Sequence, residues 1–223
     1  MGLNPSKGNM YAFVSHTWNT VKGKCPHNCS YCYMKQWPQS NVRLDEDELK
    51  TDLGTGNFIF VGSSNDMFAN DIPDKWIVQT LVHCQNHNNR YLFQTKNPER
   101  FLQFLLFNVI YKQSILCTTI ESNRFYPEIM NHSPHPLKRA EAMEELSKHV
   151  PCDVTIEPIL DCDLEPMVEM IKRCKPRQVN IGADSQSHNL PEPSKEKVLA
   201  LIAELEKFTV IEKKRNLWRI LNG

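Results

Sequence analysis

Three cysteines, Cys25, Cys29 and Cys32, fall in one short stretch, Lys24-Cys25-Pro26-His27-Asn28-Cys29-Ser30-Tyr31-Cys32-Tyr33-Met34. The Cys-x3-Cys-x2-Cys spacing lets one loop wrap three thiolates around one metal centre. Four cysteines would saturate a cubane iron–sulfur cluster, whereas three leave one iron with an open position for a substrate or cofactor. Other chemistry fits the same residue types. Structural zinc accepts a Cys3His set, and His16 or His27 could supply the imidazole. A redox dithiol at Cys29-Ser30-Tyr31-Cys32 would leave Cys25 without a role. Core thiols are the plainest alternative, but Pro26, Asn28 and Ser30 give this loop little apolar reason to cluster sulfurs. Cys84, Cys117, Cys152, Cys162 and Cys174 lie scattered among apolar neighbours and read as ordinary buried thiols.

Positioning such a loop requires a frame, and the chain spells one out. Short β-rich runs alternate with helical stripes, the pattern of repeated βα units around a parallel sheet. The runs are Tyr11 to Ser15, Phe58 to Val61, Tyr91 to Gln94, Ile115 to Ile120, Val154 to Ile156 and Val179 to Ile181. Between them, Trp76, Ile77, Thr80, Leu81 and Cys84 have helical spacing, and Leu164, Met167, Val168, Ile171 and Cys174 repeat it. Ser194 is placed to cap a helix carrying Val198, Leu199, Ile202 and Leu205. Six units fall short of a closed eight-stranded barrel. The expected fold class is therefore α/β, an open or partial (β/α)6 barrel, with its active site at the C-terminal ends of the strands. The cysteine loop directly follows the first run, at that rim.

The 223 residues, 40% hydrophobic and 23% charged, suit a single domain over 1–223 with a short C-terminal extension from about 209. Lys+Arg and Asp+Glu both number 26, so no global basic excess announces a nucleic-acid binder, and any such contact must be local. Lys172-Arg173, Lys175, Arg177 and Lys213-Lys214-Arg215 with Trp218-Arg219 offer local basic and aromatic groups, or simply solvated helix ends. The apolar stretches are short and the N-terminus is polar, so neither a membrane span nor a secretory signal is expected. A reducing, cytoplasmic setting is the consequent expectation, in which clustered cysteines bind metal or do chemistry.

The loop resembles the radical S-adenosylmethionine superfamily, whose motif is Cys-x3-Cys-x-aromatic-Cys after the first strand of a partial (β/α)6 barrel. Cys25, Cys29, Tyr31 and Cys32 match it position for position. Trp18-Asn19, Gln94-Thr95-Lys96-Asn97-Pro98-Glu99-Arg100, Ile156-Glu157-Pro158 and Ile181-Gly182-Ala183-Asp184 are similar to compact phage and prophage members related in layout to spore photoproduct lyase. The resemblance implies a [4Fe–4S] cluster on Cys25, Cys29 and Cys32 that reductively cleaves S-adenosylmethionine. A 5′-deoxyadenosyl radical then abstracts hydrogen from the substrate. Flavodoxin or ferredoxin is the kind of electron donor implied, in the host cytoplasm if the protein is phage-encoded.

The same resemblance distributes roles along the rim. Tyr31, Gly62-Ser63-Ser64, Glu121, Ser122 and Arg124 are expected around S-adenosylmethionine, although the Glu that often follows the second strand is missing at Ser64. Lys96, Glu157 and Asp184 are expected to serve the reaction, with Arg100, His16, Trp18 and Asn65-Asp66 completing the rim. A modified base in DNA, of the hypermodified-thymine type, is the implied substrate, and rearrangement the implied reaction. A radical activase or peptide-modifying enzyme is the alternative, and a zinc-stabilised binding module without catalysis the second.

Overall fold

A computed structural model describes residues 2–7 and 11–222. Its main sheet contains β1 (Asn4–Pro5), β2 (His16–Trp18), β5 (Phe58–Val61), β6 (Arg90–Thr95), β7 (Ser114–Thr119), β8 (Cys152–Ile156), β9 (Gln178–Ile181) and β10 (Val210–Lys213), while β3 (Val21–Lys22) and β4 (Arg43–Leu44) pair separately. The order is β1-β2-β5-β6-β7-β8-β9-β10, and every neighbouring pair from β2 onward is parallel. β1 alone runs antiparallel, against β2. The two end strands do not pair, so the barrel is open, as an α/β domain with too few units to close must be.

The crossovers carry α1 (Asp74–Gln85), α2 (Asn108–Gln113), α3 (Pro127–Met130), α4 (Pro136–Leu146), α5 (Leu164–Arg173) and α6 (Lys195–Leu205), and α7 (Trp218–Asn222) ends the described chain. Ser194 caps α6, its Oγ accepting from Lys197 N at 3.3 Å. Strand alternation divides the apolar residues into two cores. Ile59, Val61, Tyr91, Phe93, Leu116, Val154 and Ile181 face the helices, where they meet Ile77, Leu81, Met143, Ile171, Val198 and Leu201. Phe60, Leu92, Ile115 and Cys117 face the barrel axis with Tyr11 and Val14. This small inner core plugs the barrel and forms the floor of the site. The five cysteines outside the loop are all buried.

Two readings of the sequence change. Tyr11 to Ser15 is not a strand: Val14 N donates to Tyr11 O at 3.0 Å in a turn, and the first parallel strand is His16–Trp18. The run's apolar side chains are there because they fill the barrel, which needs hydrophobicity without β pairing. The stretch expected as an extension from 209 supplies β10, a further parallel strand beside β9 in the register Val210–Gln178 to Lys213–Ile181.

Candidate functional site

The C-terminal strand ends surround a cavity of about 500 Å³. Tyr11, Phe60, Gln94 and Thr119 contribute its lower wall, and Tyr11 Oη donates to Gln94 Oε1 at 2.6 Å. One side is the cysteine loop, with Cys25, Cys29 and Cys32 all lining the space. All three are free thiols. Burial pushes the Cys25 thiol up to about 12 and raises Cys32, which favours the neutral thiols; a cation bound between them would favour the thiolates.

Local turns shape part of the loop, with Asn28 N donating to Cys25 O and Cys32 N to Cys29 O, both at 3.2 Å, and a distant segment holds it. Ser30 N donates to Ile129 O at 2.9 Å, His132 N to His27 O at 3.1 Å, and Asn131 Nδ2 to Asn28 O at 3.0 Å. Cys29 Sγ lies 3.2 Å from Ser133 Oγ. Asn28 and Asn131 both adopt positive φ, 52° and 48°. Residues 129–133, which follow β7, therefore clasp the loop.

His27 is buried, with Nε2 2.9 Å from Asp66 Oδ2. Asp66 also accepts from Thr95 Oγ1 at 3.0 Å and Lys96 N at 2.8 Å. Burial works to raise the Asp66 carboxyl, but its His27 contact and these donors hold it below its ordinary value. The Asn97–Arg100 stretch secures the same region: Asn97 Nδ2 donates to Phe68 O, while Arg100 reaches the carbonyls of Ala69, Asn70 and Ile72 and the Asp74 carboxylate. Arg100 is buried scaffolding instead of a rim cation.

Gly62 follows β5 at φ 82°, where a Cβ would come 3.2 Å from Asn65 O. Asn19 pins the following turn, accepting from Ser64 N at 2.9 Å and Ser63 Oγ at 3.3 Å. Tyr33 Oη donates to Ser63 O at 2.7 Å, tying the cysteine loop to the same turn. Trp18, by contrast, is wholly buried outside the barrel against His83.

Beneath the rim lies a charged cluster. Glu121, 0% exposed, accepts from Tyr31 Oη and from Lys96 Nζ at 3.0 Å through Oε1, and from Arg139 Nη1 at 2.7 Å through Oε2. Burial opposes the charge, yet Arg139 and Lys96 outweigh it and hold the Glu121 carboxyl at about 2. Arg139, also 0% exposed, further donates to Thr119 O at 2.9 Å and Pro134 O at 2.7 Å.

Opposite the cysteines, Glu157 pairs with Lys214 at 2.7 Å and accepts from Asn216 Nδ2 at 3.0 Å. Lys214 also lies over the Tyr11 ring, 4.4 Å from its centroid. Asp184 is bound by its own loop, accepting from His188 Nδ1 at 2.7 Å, from His188 N and from Gln186 N. Gly182 leaves room for this wall, since a Cβ there would stand 2.7 Å from Glu157 Oε1. Gly182→Ala should displace Glu157 from Asn216 and cost ~1–3 kcal/mol, the usual overpacking range. Urea unfolding, with proteolysis of the C-terminal segment as a second probe, checks that outcome.

The structure thus brings Cys25, Cys29, Cys32, Tyr31, Gly62, Ser63, Ser64, Asn65, Asp66, Lys96, Glu157 and Asp184 to one cavity. Glu121 reaches it through Lys96 and Tyr31. Ser122 and Arg124 stand elsewhere: Ser122 Oγ donates to Asp161 O at 2.8 Å, and Arg124 pairs with Asp161 and Asp163. His16 lies at the opposite end of β2, 3.0 Å from Ser15 Oγ. Arg139 and Asn216 are additions that the sequence did not supply, while Asn19 and Lys214, singled out there for other reasons, take places at the site.

The donor set fits a cluster with one open iron. Three free thiols come from one loop, and the space beside them is large enough for a further ligand. Zinc gains no support: His16 is remote, and the three sulfurs are not gathered around a single point with an imidazole. Among the described residues, no three His, Cys, Asp or Glu side chains are grouped to hold a single ion. A cubane meets each thiolate at a different iron and does not require that grouping.

The fold, an open parallel barrel with a three-cysteine loop after its first parallel strand, is that of the radical S-adenosylmethionine enzymes. A variant of spore photoproduct lyase aligns with a TM-score of 0.67 at 11% identity, covering 94% of this chain and 80% of that one. Methylornithine synthase aligns at 0.54 and 13% identity, over 87% of this chain and 63% of its own. SuiB of Streptococcus suis, bound to S-adenosylmethionine, aligns at 0.56 and 9% identity, over 88% and 49% respectively. Neither the protein-family models nor the curated proteins gave a match.

Proposed function

We propose that this chain is a radical S-adenosylmethionine enzyme acting on a modified, hypermodified-thymine-type base in DNA, with rearrangement as the reaction. The observation that carries the first part is the joint placement of three free thiols on one cavity of about 500 Å³ at the strand ends. Support for the substrate comes from likeness to spore photoproduct lyase, one structure of which holds AdoMet and a dinucleoside spore photoproduct, at a TM-score of 0.58 and 11% identity. Near the cavity, exposed Trp218 and Arg215 follow Lys214 and give an aromatic and basic edge suited to a nucleotide.

When bound, the cluster supplies the electron that breaks the sulfonium C–S bond of S-adenosylmethionine and so creates the hydrogen-abstracting species. Cys25, Cys29 and Cys32 hold it. Gly62 and the turn pinned by Asn19 give the cofactor a close backbone wall, and Lys96 offers an ammonium to its carboxylate. Tyr11 and Phe60 shut the floor against water, which a radical step requires. Glu157 and Lys214 present a carboxylate and an ammonium on the wall facing the cysteines, where they orient polar groups of the base. Flavodoxin or ferredoxin is the proposed electron donor. No helix among the described residues is long and apolar enough to cross a membrane.

The test is anaerobic reconstitution with iron and sulfide, reduction, and measurement of 5′-deoxyadenosine with phage-type modified DNA, unmodified DNA and peptides. Cofactor cleavage with deuterium transfer from the modified base is expected. Stimulation by peptide and by no DNA would replace the substrate assignment with the peptide-modifying one. A zinc-loaded protein without cofactor cleavage would remove both.

A further inference from the structure

Lys96, Glu121 and Arg139 form a cluster of two cations and one carboxylate, a net charge of +1, largely withdrawn from water. Arg139 and Glu121 are wholly buried, and Lys96 is 16% exposed at the cavity wall. Arg139 Nη2 is buried with no hydrogen-bond partner among the described residues, so part of the guanidinium charge is unanswered locally. Buried charge is costly without compensation, and an anion is the missing component. The cluster touches the cysteine loop directly: Tyr31, between Cys29 and Cys32, donates to Glu121, and Lys96 Nζ lies 5.1 Å from the Tyr31 ring centroid. On the neighbouring side, Ser133 Oγ stands 3.2 Å from Cys29 Sγ, placed to donate to a thiolate there. The Asp66 carboxylate, which His27 Nε2 contacts, is tied to β6 through Thr95 and the Lys96 amide.

We propose that Lys96, Arg139 and Ser133, with Glu121 as counter-charge, set the reduction potential of the iron–sulfur centre held by the cysteine loop. This rests on the radical S-adenosylmethionine reading. A one-electron reduction adds a negative charge to the centre, and nearby positive charge and hydrogen bonds to sulfur both favour it. Lys96 and Arg139 raise the potential through their charge. Ser133 raises it by donating to sulfur, and Glu121 lowers it while holding the two cations in place. The arrangement makes reduction by a mild biological donor easier than the bare thiolate loop would allow.

EPR-monitored titration of the reconstituted protein with dithionite, without S-adenosylmethionine, tests this through three variants of opposite sign. Glu121→Gln should raise the midpoint potential, whereas Lys96→Met and Ser133→Ala should lower it. A tenfold change in the reduction equilibrium for either charge change corresponds to ~59 mV for a one-electron couple. A purely structural role would move Glu121→Gln and Lys96→Met together, or neither, and either result overturns the proposal. Should Glu121→Gln fail to fold or load, the partly exposed Lys96→Met and the small Ser133→Ala decide alone: unchanged potentials overturn it. Absence of iron and sulfide from the unaltered protein would refute the enzyme reading instead, so the two failures are distinguishable.

Discussion

Cys29→Ala should yield a folded protein that retains little iron and forms 5′-deoxyadenosine only at background. The residue is buried and faces the cavity, with Ser133 Oγ beside its sulfur, and a neutral hydroxyl is a far weaker iron ligand than a thiolate. Loss of a partner one step removed from a metal lowers affinity or activity by ~10–100-fold, and removal of the ligand itself must exceed that. Cys84→Ala supplies the contrast. That thiol is buried at the helix-facing side of the sheet and lies outside the cavity, so cluster content and cofactor cleavage should persist with only a modest loss of stability. Iron and sulfide analysis beside product formation separates the cases. Normal cleavage in the Cys29 variant would end the cluster assignment.

The second large effect is on stability. Arg139→Met removes a buried cation that serves Glu121, Thr119 O and Pro134 O together, and should cost ~3–5 kcal/mol, the range for breaking a buried ion pair. For a chain of this length such a loss lowers Tm by roughly 10 °C. Acid should reveal the same cluster. Glu121 titrates at about 2 in the fold against an ordinary 4.5, so its contribution is complete above the unfolded value and disappears as pH falls toward the folded one. The difference corresponds to about 3 kcal/mol. Urea unfolding followed from pH 6 to pH 2 should therefore show a decline that flattens in Glu121→Gln, and an equally steep decline in that variant would show that other carboxylates are responsible.

Much of this was legible in the sequence where one residue type has one physical purpose. Phe58 to Val61, Tyr91 to Gln94 and Val179 to Ile181 all fall within observed strands, because a buried parallel strand needs a continuous apolar run. The cysteine spacing survived as a shared cavity wall. Failures have equally local causes. Tyr11 to Ser15 has strand-like composition, yet Tyr11, Phe13 and Val14 plug the barrel from a turn, and hydrophobicity alone does not distinguish the two. β10 was hidden for the opposite reason: it is an end strand with three of its four residues exposed, so Glu212 and Lys213 dilute the apolar signal. Arg139 sits in a helix whose charged residues otherwise suggest a wet face, and only the tertiary fold shows that it points inward to Glu121. Ser122 and Arg124 followed a strand end as expected, but the chain turns away there to join Asp161 and Asp163.

The clasp of residues 129–133 around the cysteine loop sets an order of events during synthesis. Cys29 and Ser133 are separated by 104 positions, so the ribosome completes the cysteine segment well before the residues that shape it exist. A nascent chain ending before α3 has the three thiols but none of the contacts from Ile129, Asn131, His132 and Ser133. Its loop is an entropic ensemble from which a cluster would have to select one shape. On the proposed cluster reading, the three sulfurs become a prepared receptacle for iron only after the segment following β7 has folded against the loop.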